Sequence, residues 1–368
     1  MSRTVLITGA TGTVSTALMN ALEGADVRLR ALVRDKSRAD GPREQGAEVF
    51  VGDLDDPRSL PPAFEGVQDV WLLTPNSPRA PENNMNAVWA ARQAGVERIV
   101  RLSAVGAAHD APNRSGRLHA LSDRETERCG MRWTILRPLW FMQNLLNEAG
   151  DIAATGSFSL NMASARLSMI DVRDIAACAA RVLLDDPDRH HGRTYTLTGP
   201  RSLTFDEVAG QLGLALGRPV TYLPVSDDAK RRALLGYGVP RWIVDMVEEY
   251  AQAYVSGWGT SPPTRSPTFS AARRATSPTS PATTPPRSPR PTVADPRLGD
   301  GVSGPSRSRF REGIECSCAS VHTSAHVQSA HLPACRHTCR NRLLRRPRHL
   351  GSGRVDAGEG CRAVHLHR

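Results

Sequence analysis

Residues 4–15, Thr-Val-Leu-Ile-Thr-Gly-Ala-Thr-Gly-Thr-Val-Ser, set the narrowest limit on what this chain can fold into. Thr4 to Thr8 make a β-branched, apolar run of the kind buried on both faces of a parallel sheet. Gly9 and Gly12 follow at once, and Thr16 to Leu22 then run at helical spacing. Strand, glycine turn and helix in that order aim backbone N–H groups and the positive end of a helix at one point, where an anion is stabilised. Gly9 suits the tight turn, and Gly12 removes a side chain that would hold a diphosphate off the backbone. Ser15 stands where a third glycine or alanine usually lets helix meet strand, so slightly looser packing is expected there. Taken alone, the spacing also describes an ordinary turn.

The following segments supply context. Val27 to Val33 reads as a second strand ending at Arg34-Asp35-Lys36, and Ala47 to Val51 as a third ending at Gly52-Asp53-Leu54. Asp69 to Thr74 is a fourth strand, 84–94 a helix stopped by Gly95, and Glu97 to Leu102 a fifth strand. Strands alternating with helices of this length mean βαβ crossovers, hence a parallel, doubly wound Rossmann sheet of the α/β class. Ligands of such sheets sit at the carboxyl ends of the strands, which places Gly9 to Val14, Arg34, Asp53, Thr74, Pro75 and Ser103 around one crevice. An arginine at the tip of the second strand accommodates the 2′-phosphate of NADP, whereas an acid there favours NAD. Arg34 therefore points to NADP(H), Asp35 keeps NAD(H) open, and Arg34, Lys36 and Arg38 also read as a solvated loop.

Seven ordered segments, "LITGATGTV", "ALVRD", "GDLDDP", "WLLTP", "VRLSAVGA", "MRWTILRPLWFMQN" and "DVRDIAACAARVL", resemble the NmrA-like group of atypical short-chain dehydrogenases from residue 3 to about 258. The resemblance implies that Gly9, Thr11, Gly12, Thr13 and Val14 hold the pyrophosphate, Arg34 the adenosine phosphate and Asp53 with Leu54 the adenine. Thr74 and Pro75 would lie beside the nicotinamide ribose. The implied activity is NADPH-dependent reduction of a quinone or a similar small carbonyl acceptor.

The tyrosine–lysine pair of ordinary short-chain dehydrogenases is missing, because the only lysines are Lys36 and Lys230 and neither follows a tyrosine by four. His119 stands at the matching point of a helix expected from Arg117 to Cys129, with Asp123 one turn on and on the same face. A carboxylate so placed would orient the imidazole and raise its pKa toward neutrality, making His119 a proton donor. An i,i+4 pair on a helix surface is the alternative. Ser103 would either bond a substrate carbonyl or cap its turn. Trp140, Phe141 and Met142 would wall an apolar pocket over the nicotinamide or fill the core. A protein acid is not obligatory, since the reduced cofactor carries the difficult chemistry. The rival reading is a regulatory protein that binds the dinucleotide, senses redox state and contacts a protein partner without turnover.

Residues 1–150 are thus expected to form the dinucleotide-binding domain and 151–258 a smaller α+β portion on the substrate side. In the latter, strands are expected at 166–170, 194–198 and 220–225, with helices at 172–184, 227–236 and 240–256. Thr204 and Glu207 have capping-box spacing ahead of a helix to Leu216.

After Trp258 the composition changes. Residues 260–368 carry 18 Arg, no Lys and 6 acidic residues, so they hold a net +12 and leave −2 on residues 1–259 of a chain with a formal charge of +10. A near-neutral body argues against specific nucleic-acid binding. Residues 259–368 are too rich in Pro, Ser, Thr and Arg to bury a core and are expected to be disordered. Reading "TSPPT" one base earlier with permitted codons gives Asp-Phe-Thr-Thr-Asp, which resembles the end of the same family, so a frameshift near Gly259 is expected. Five of seven cysteines lie in this tail, but Cys316, Cys318, Cys335 and Cys339 lack paired Cys-x-x-Cys knuckles, and no metal site is expected. The chain opens on the strand-and-glycine pattern with no charged leader, and no apolar run reaches the ~18 residues that span a bilayer. The expected compartment is the cytoplasm, with no membrane partner.

Overall fold

The computed structural model describes residues 2–258. The tail readings, including disorder, frameshift and metal, lie outside the described residues. β1 (Arg3–Ile7), α1 (Thr13–Ala21), β2 (Val27–Val33), α2 (Asp40–Glu44), β3 (Glu48–Val51), α3 (Pro61–Phe64) and β4 (Asp69–Leu72) come first. α4 (Ala80–Gln93), β5 (Arg98–Leu102), α5 (Arg114–Glu127) and β6 (Arg132–Pro138) follow. Seven strands, including β9 (Arg193–Leu197), pair in the order β3-β2-β1-β4-β5-β6-β9, and every pairing is parallel. The fold is therefore the doubly wound α/β sheet that the strand–helix alternation predicts. Its chain order reverses between β1 and β4, and that switch point opens a crevice at the strands' carboxyl ends.

The core follows from alternation along the strands. Val5 and Ile7 of β1 join Leu18 and Met19 of α1 and Leu22 at its end on one face, whereas Leu6 faces Ala87, Val88 and Ala91 of α4 on the other. Each such fully buried leucine or isoleucine contributes roughly 1.5–3 kcal/mol. The first face is closed by α7 (Val172–Leu184), whose Ala176 and Ala179 permit close approach to α1. At the amino ends of β4 and β5, Arg98 and Arg3 both pair with the fully buried Asp69. Arg98 also donates to the Val182 and Leu183 carbonyls, satisfying the end of α7.

Ser15 corrects the expectation of a loose fit. It is fully buried, donates to the Thr8 carbonyl at 3.0 Å and accepts the Trp71 indole N–H at 3.0 Å. Its hydroxyl ties α1 to β1 and β4 and leaves no polar atom unpaired.

The remaining elements are α6 (Ala149–Thr155), β7 (Ser157–Leu160), β8 (Arg166–Leu167), β10 (Leu203–Thr204), α8 (Phe205–Leu216), β11 (Thr221–Pro224), α9 (Asp227–Gly236) and α10 (Arg241–Val255). β7 pairs with β11 and β8 with β10, around a third core of Phe158, Leu167, Phe205 and Tyr222. The capping box forms as expected, with Glu207 N–H donating to Thr204 Oγ1 and Thr204 N–H to Glu207 Oε2. Trp258 lies over Tyr254 and over Gly106, where φ is +68° and a Cβ would run into the indole.

Candidate functional site

The carboxyl end of β1 carries the first part of the site. Gly9 has φ +59°, a conformation that strains any side chain, and a Cβ there would also press on Leu73 Cδ2 at 2.8 Å. Thr8 Oγ1 fixes that extension by donating to the Leu73 carbonyl at 2.9 Å. Gly12 is the N-cap of α1, has no side-chain cap, and would bring a Cβ within 3.1 Å of the Gly9 carbonyl. Thr11 and Thr13 are exposed, while the Val14 side chain is buried and leaves only its amide for the crevice. A bare helix start with a side-chain-free approach fits a diphosphate.

Beside it, the tip of β2 bears Arg34, exposed and without an ion pair among the described residues. Asp35 turns aside: its carboxylate accepts the Ser37 N–H at 2.9 Å, and this bond holds it below the usual carboxylate range. A hollow of about 500 Å³ runs from Ala10 and Thr11 to Ser37 and Arg38. At the end of β3, Gly52 packs so tightly that a Cβ would sit 2.9 Å from the Ser59 carbonyl. The Asp53–Leu54 loop is tied down there: Asp53 Oδ1 accepts the Asp55 N–H, and Asn86 donates to the Leu54 carbonyl. Asn83 Oδ1, on the adjoining face of α4, is buried without a partner.

The catalytic candidates are arranged otherwise than their spacing suggests. Asp123 does not orient His119. Its Oδ1 accepts Arg101 Nε at 2.9 Å, and its Oδ2 accepts Ser103 Oγ at 2.9 Å and Arg137 at 2.8 and 3.0 Å. Arg101 is fully buried and Asp123 nearly so. Arg101, enclosed on β5, and Arg137, partly buried on β6, require a carboxylate, and Asp123, one turn further along α5 than His119, supplies it. Ser103 spends its hydroxyl on the same carboxylate and presents none to the crevice.

His119 instead receives a contact from Arg101 Nη2, 3.3 Å from Nδ1. A guanidinium only donates, so Nδ1 is unprotonated and the proton resides on Nε2. Burial first, then the Arg101 charge, push the imidazole from its ordinary 6.5 down to about 4, outweighing Asp123. The expectation of a raised pKa is thus reversed. Keeping His119 neutral adds stability that is complete above pH 6.5 and lost as the pH falls toward 4. Burial lowers His190 as well, in the same direction. His119→Asn is therefore expected to lose less stability than the unsubstituted protein between about pH 7 and about pH 4.5 in urea denaturation. Identical losses would contradict a neutral, enclosed His119.

His119 lines a narrow cleft with Thr74, Pro75, Leu118, Trp242 and Met246. Its free space is about 10 Å³, roughly one water. Trp242 and Met246 come from α10 and escaped the sequence reading, because a tryptophan at helical spacing near the end of a fold looks like core. Trp140 does not wall this cleft: it packs edge-on against Phe205 in the third core. Phe141 packs against the main core, and Met142 is 39% exposed. A larger hollow of about 840 Å³ lies at the opposite, amino ends of the strands, around Asn20, Arg28 and Glu48. Among the described residues no helix is long and apolar enough to cross a membrane, and no cluster of three metal-ligating side chains occurs.

The NmrA-like family model matches residues 1–260. An NAD(P)H azoreductase of Xenophilus azovorans is 36% identical over 257 residues, 69% of this chain and 89% of that protein. The structure superposes on triphenylmethane reductase from Citrobacter sp. in complex with NADP(H) with a TM-score of 0.63, at 26% identity over 71% of this chain and 92% of that one. An NADPH-dependent quinone oxidoreductase from Escherichia coli, complexed with NADPH, gives a TM-score of 0.62 at 27% identity over 69% and 90% of the two chains.

Proposed function

The chain belongs to the NmrA-like family, and from that premise we propose that it is an NADPH-dependent oxidoreductase reducing a quinone or similar small carbonyl acceptor. The observation that carries this reading is the continuity of two features. A glycine cradle for a diphosphate leads along the carboxyl ends of the strands to a small cleft holding the Nε2–H of a neutral histidine. The named relatives reduce azo compounds, dyes and quinones with nicotinamide cofactors, which supports the same class.

In this reading the amides of Gly9, Thr11, Gly12, Thr13 and Val14 hold the diphosphate, Asp53 and Leu54 border the adenine, and Thr74 and Pro75 flank the nicotinamide ribose. Arg34 binds the adenosine phosphate, since Asp35 is committed to Ser37 and leaves the arginine as the charge at that tip. When bound, NADPH supplies the hydride. His119 donates a hydrogen bond from its neutral Nε2–H to the acceptor oxygen, the positive excess of Arg101 and Arg137 over Asp123 stabilises negative charge developing there, and water supplies the proton that completes the reduction. Asp123 and Ser103 hold that arrangement without touching the acceptor.

Arg34→Ala is expected to weaken NADPH binding about ten- to a hundred-fold and NADH binding less than about two-fold, as measured by titration. Equal affinities that ignore the substitution would remove the NADP preference. The activity itself is tested by NADPH consumption with a panel of quinones. Consumption is the expected result, and tight NADPH binding without turnover of any acceptor would favour the sensing role instead.

A further inference from the structure

Trp242 is the one member of the cleft wall with a buried polar atom lacking a partner among the described residues. Its indole Nε1–H is enclosed, and an enclosed donor left unpaired is unfavourable unless a ligand satisfies it. The ring is fixed from outside. The Arg114 guanidinium stands 4.8 Å from the ring centroid, and Arg114 is itself held by Glu249, which accepts its Nη2–H at 2.8 Å and its backbone N–H at 2.6 Å. Trp242 and Glu249 both belong to α10, seven residues apart and so on one face, which docks against the start of α5. Arg114 thus covers one face of the indole, and Trp242 itself lines the cleft.

The rest of the wall narrows the occupant. His119 offers a second N–H, Leu118 and Met246 are apolar, and Thr74, Asn76 and Ser115 are among the neutral polar groups that complete the wall. No carboxylate lines the cleft among the described residues. N–H donors on an acid-free wall of mixed apolar and neutral polar groups suit a flat ring bearing carbonyl oxygens, and the small free volume means that the wall opposite the anchored Trp242 ring, Met246 included, moves to admit it.

We propose that Trp242 positions the acceptor, its Nε1–H donating a hydrogen bond to a carbonyl oxygen of a quinone held beside His119. The assignment rests on the oxidoreductase reading above. It makes α10, a helix outside the main sheet, the source of acceptor selectivity.

The test uses the full chain, with ¹⁵N-labelled indoles, saturated with NADP⁺ and titrated with tetramethyl-1,4-benzoquinone, which has no ring hydrogen to undergo thiol addition. The Trp242 indole resonance, identified by its disappearance in Trp242→Phe, is expected to move when the quinone is added. In steady state, Trp242→Phe retains an aromatic ring over Arg114. It is expected to lower kcat/KM for the quinone about ten-fold and to change the NADPH Kd less than about two-fold. An active enzyme whose Trp242 resonance ignores the quinone, or responds to NADP⁺ alone, overturns the assignment. So does an active Trp242→Phe with full kcat/KM. Failure of the unsubstituted protein to consume NADPH with any quinone overturns the oxidoreductase reading itself, and this assignment with it.

Discussion

Gly12→Asp is expected to weaken NADPH binding about a hundred-fold or more while leaving the folded chain intact. Gly12 has φ −88° and ψ 155°, extended values that any residue adopts, and aspartate is a favoured N-cap. Stability should therefore change by less than about 1 kcal/mol, the gained cap offsetting a Cβ that sits 3.1 Å from the Gly9 carbonyl. Binding responds otherwise. The new carboxylate would lie at the helix start meant for the diphosphate, and like charges about 4 Å apart at a protein surface repel by about 4 kcal/mol before screening by salt. A hundred-fold loss corresponds to about 2.7 kcal/mol and leaves room for that screening. Urea denaturation and NADPH titration of the same preparation separate the two effects. A variant that folds and binds as before would show that the phosphates lie elsewhere.

Asp123→Ala is expected to destabilise the protein by about 3–5 kcal/mol, because it leaves Arg101 buried, and Arg137 partly so, without their shared counter-charge. Asp123→Asn keeps an acceptor for Ser103 and part of the arginine hydrogen bonding, and should fall between the two. Urea denaturation at neutral pH reads both. A loss below about 1 kcal/mol in the alanine variant would mean that the arginines find water, and that the cluster is not the enclosed network described here. Because Arg101 also fixes the tautomer of His119, the more stable asparagine variant offers a means of loosening the histidine without unfolding its surroundings.

The parallel sheet was legible because β1, β2, β4 and β5 are short, largely β-branched or apolar runs separated by glycines and helical segments, an alternation that calls for parallel βαβ crossovers. The cradle was legible for the same reason: Gly9 takes a positive φ that strains any side chain, and Gly12 keeps the approach to the helix start free of one. Pairwise side-chain geometry was not. His119 and Asp123 share a helix face, and spacing alone cannot say that Arg101 and Arg137 reach the carboxylate first. A signal was present, since an arginine inside "RIVRLS" and another inside "TILRP" interrupt strands buried on both faces, where a cation needs a partner. Residues 149–160 were missed although Gly156, with φ +70°, caps α6 and "SFSL" alternates as a strand should. Trp242 was illegible for a different reason. Its role depends on α10 folding back over the start of α5, a contact between positions more than a hundred residues apart.

Calorimetric titration of the full chain with NADPH, beside Gly12→Asp, tests the central claim most directly. The account predicts one NADPH bound per chain, with that affinity lost in the aspartate variant. Folded protein that takes up no NADPH, or takes it up equally well with aspartate at position 12, would contradict it.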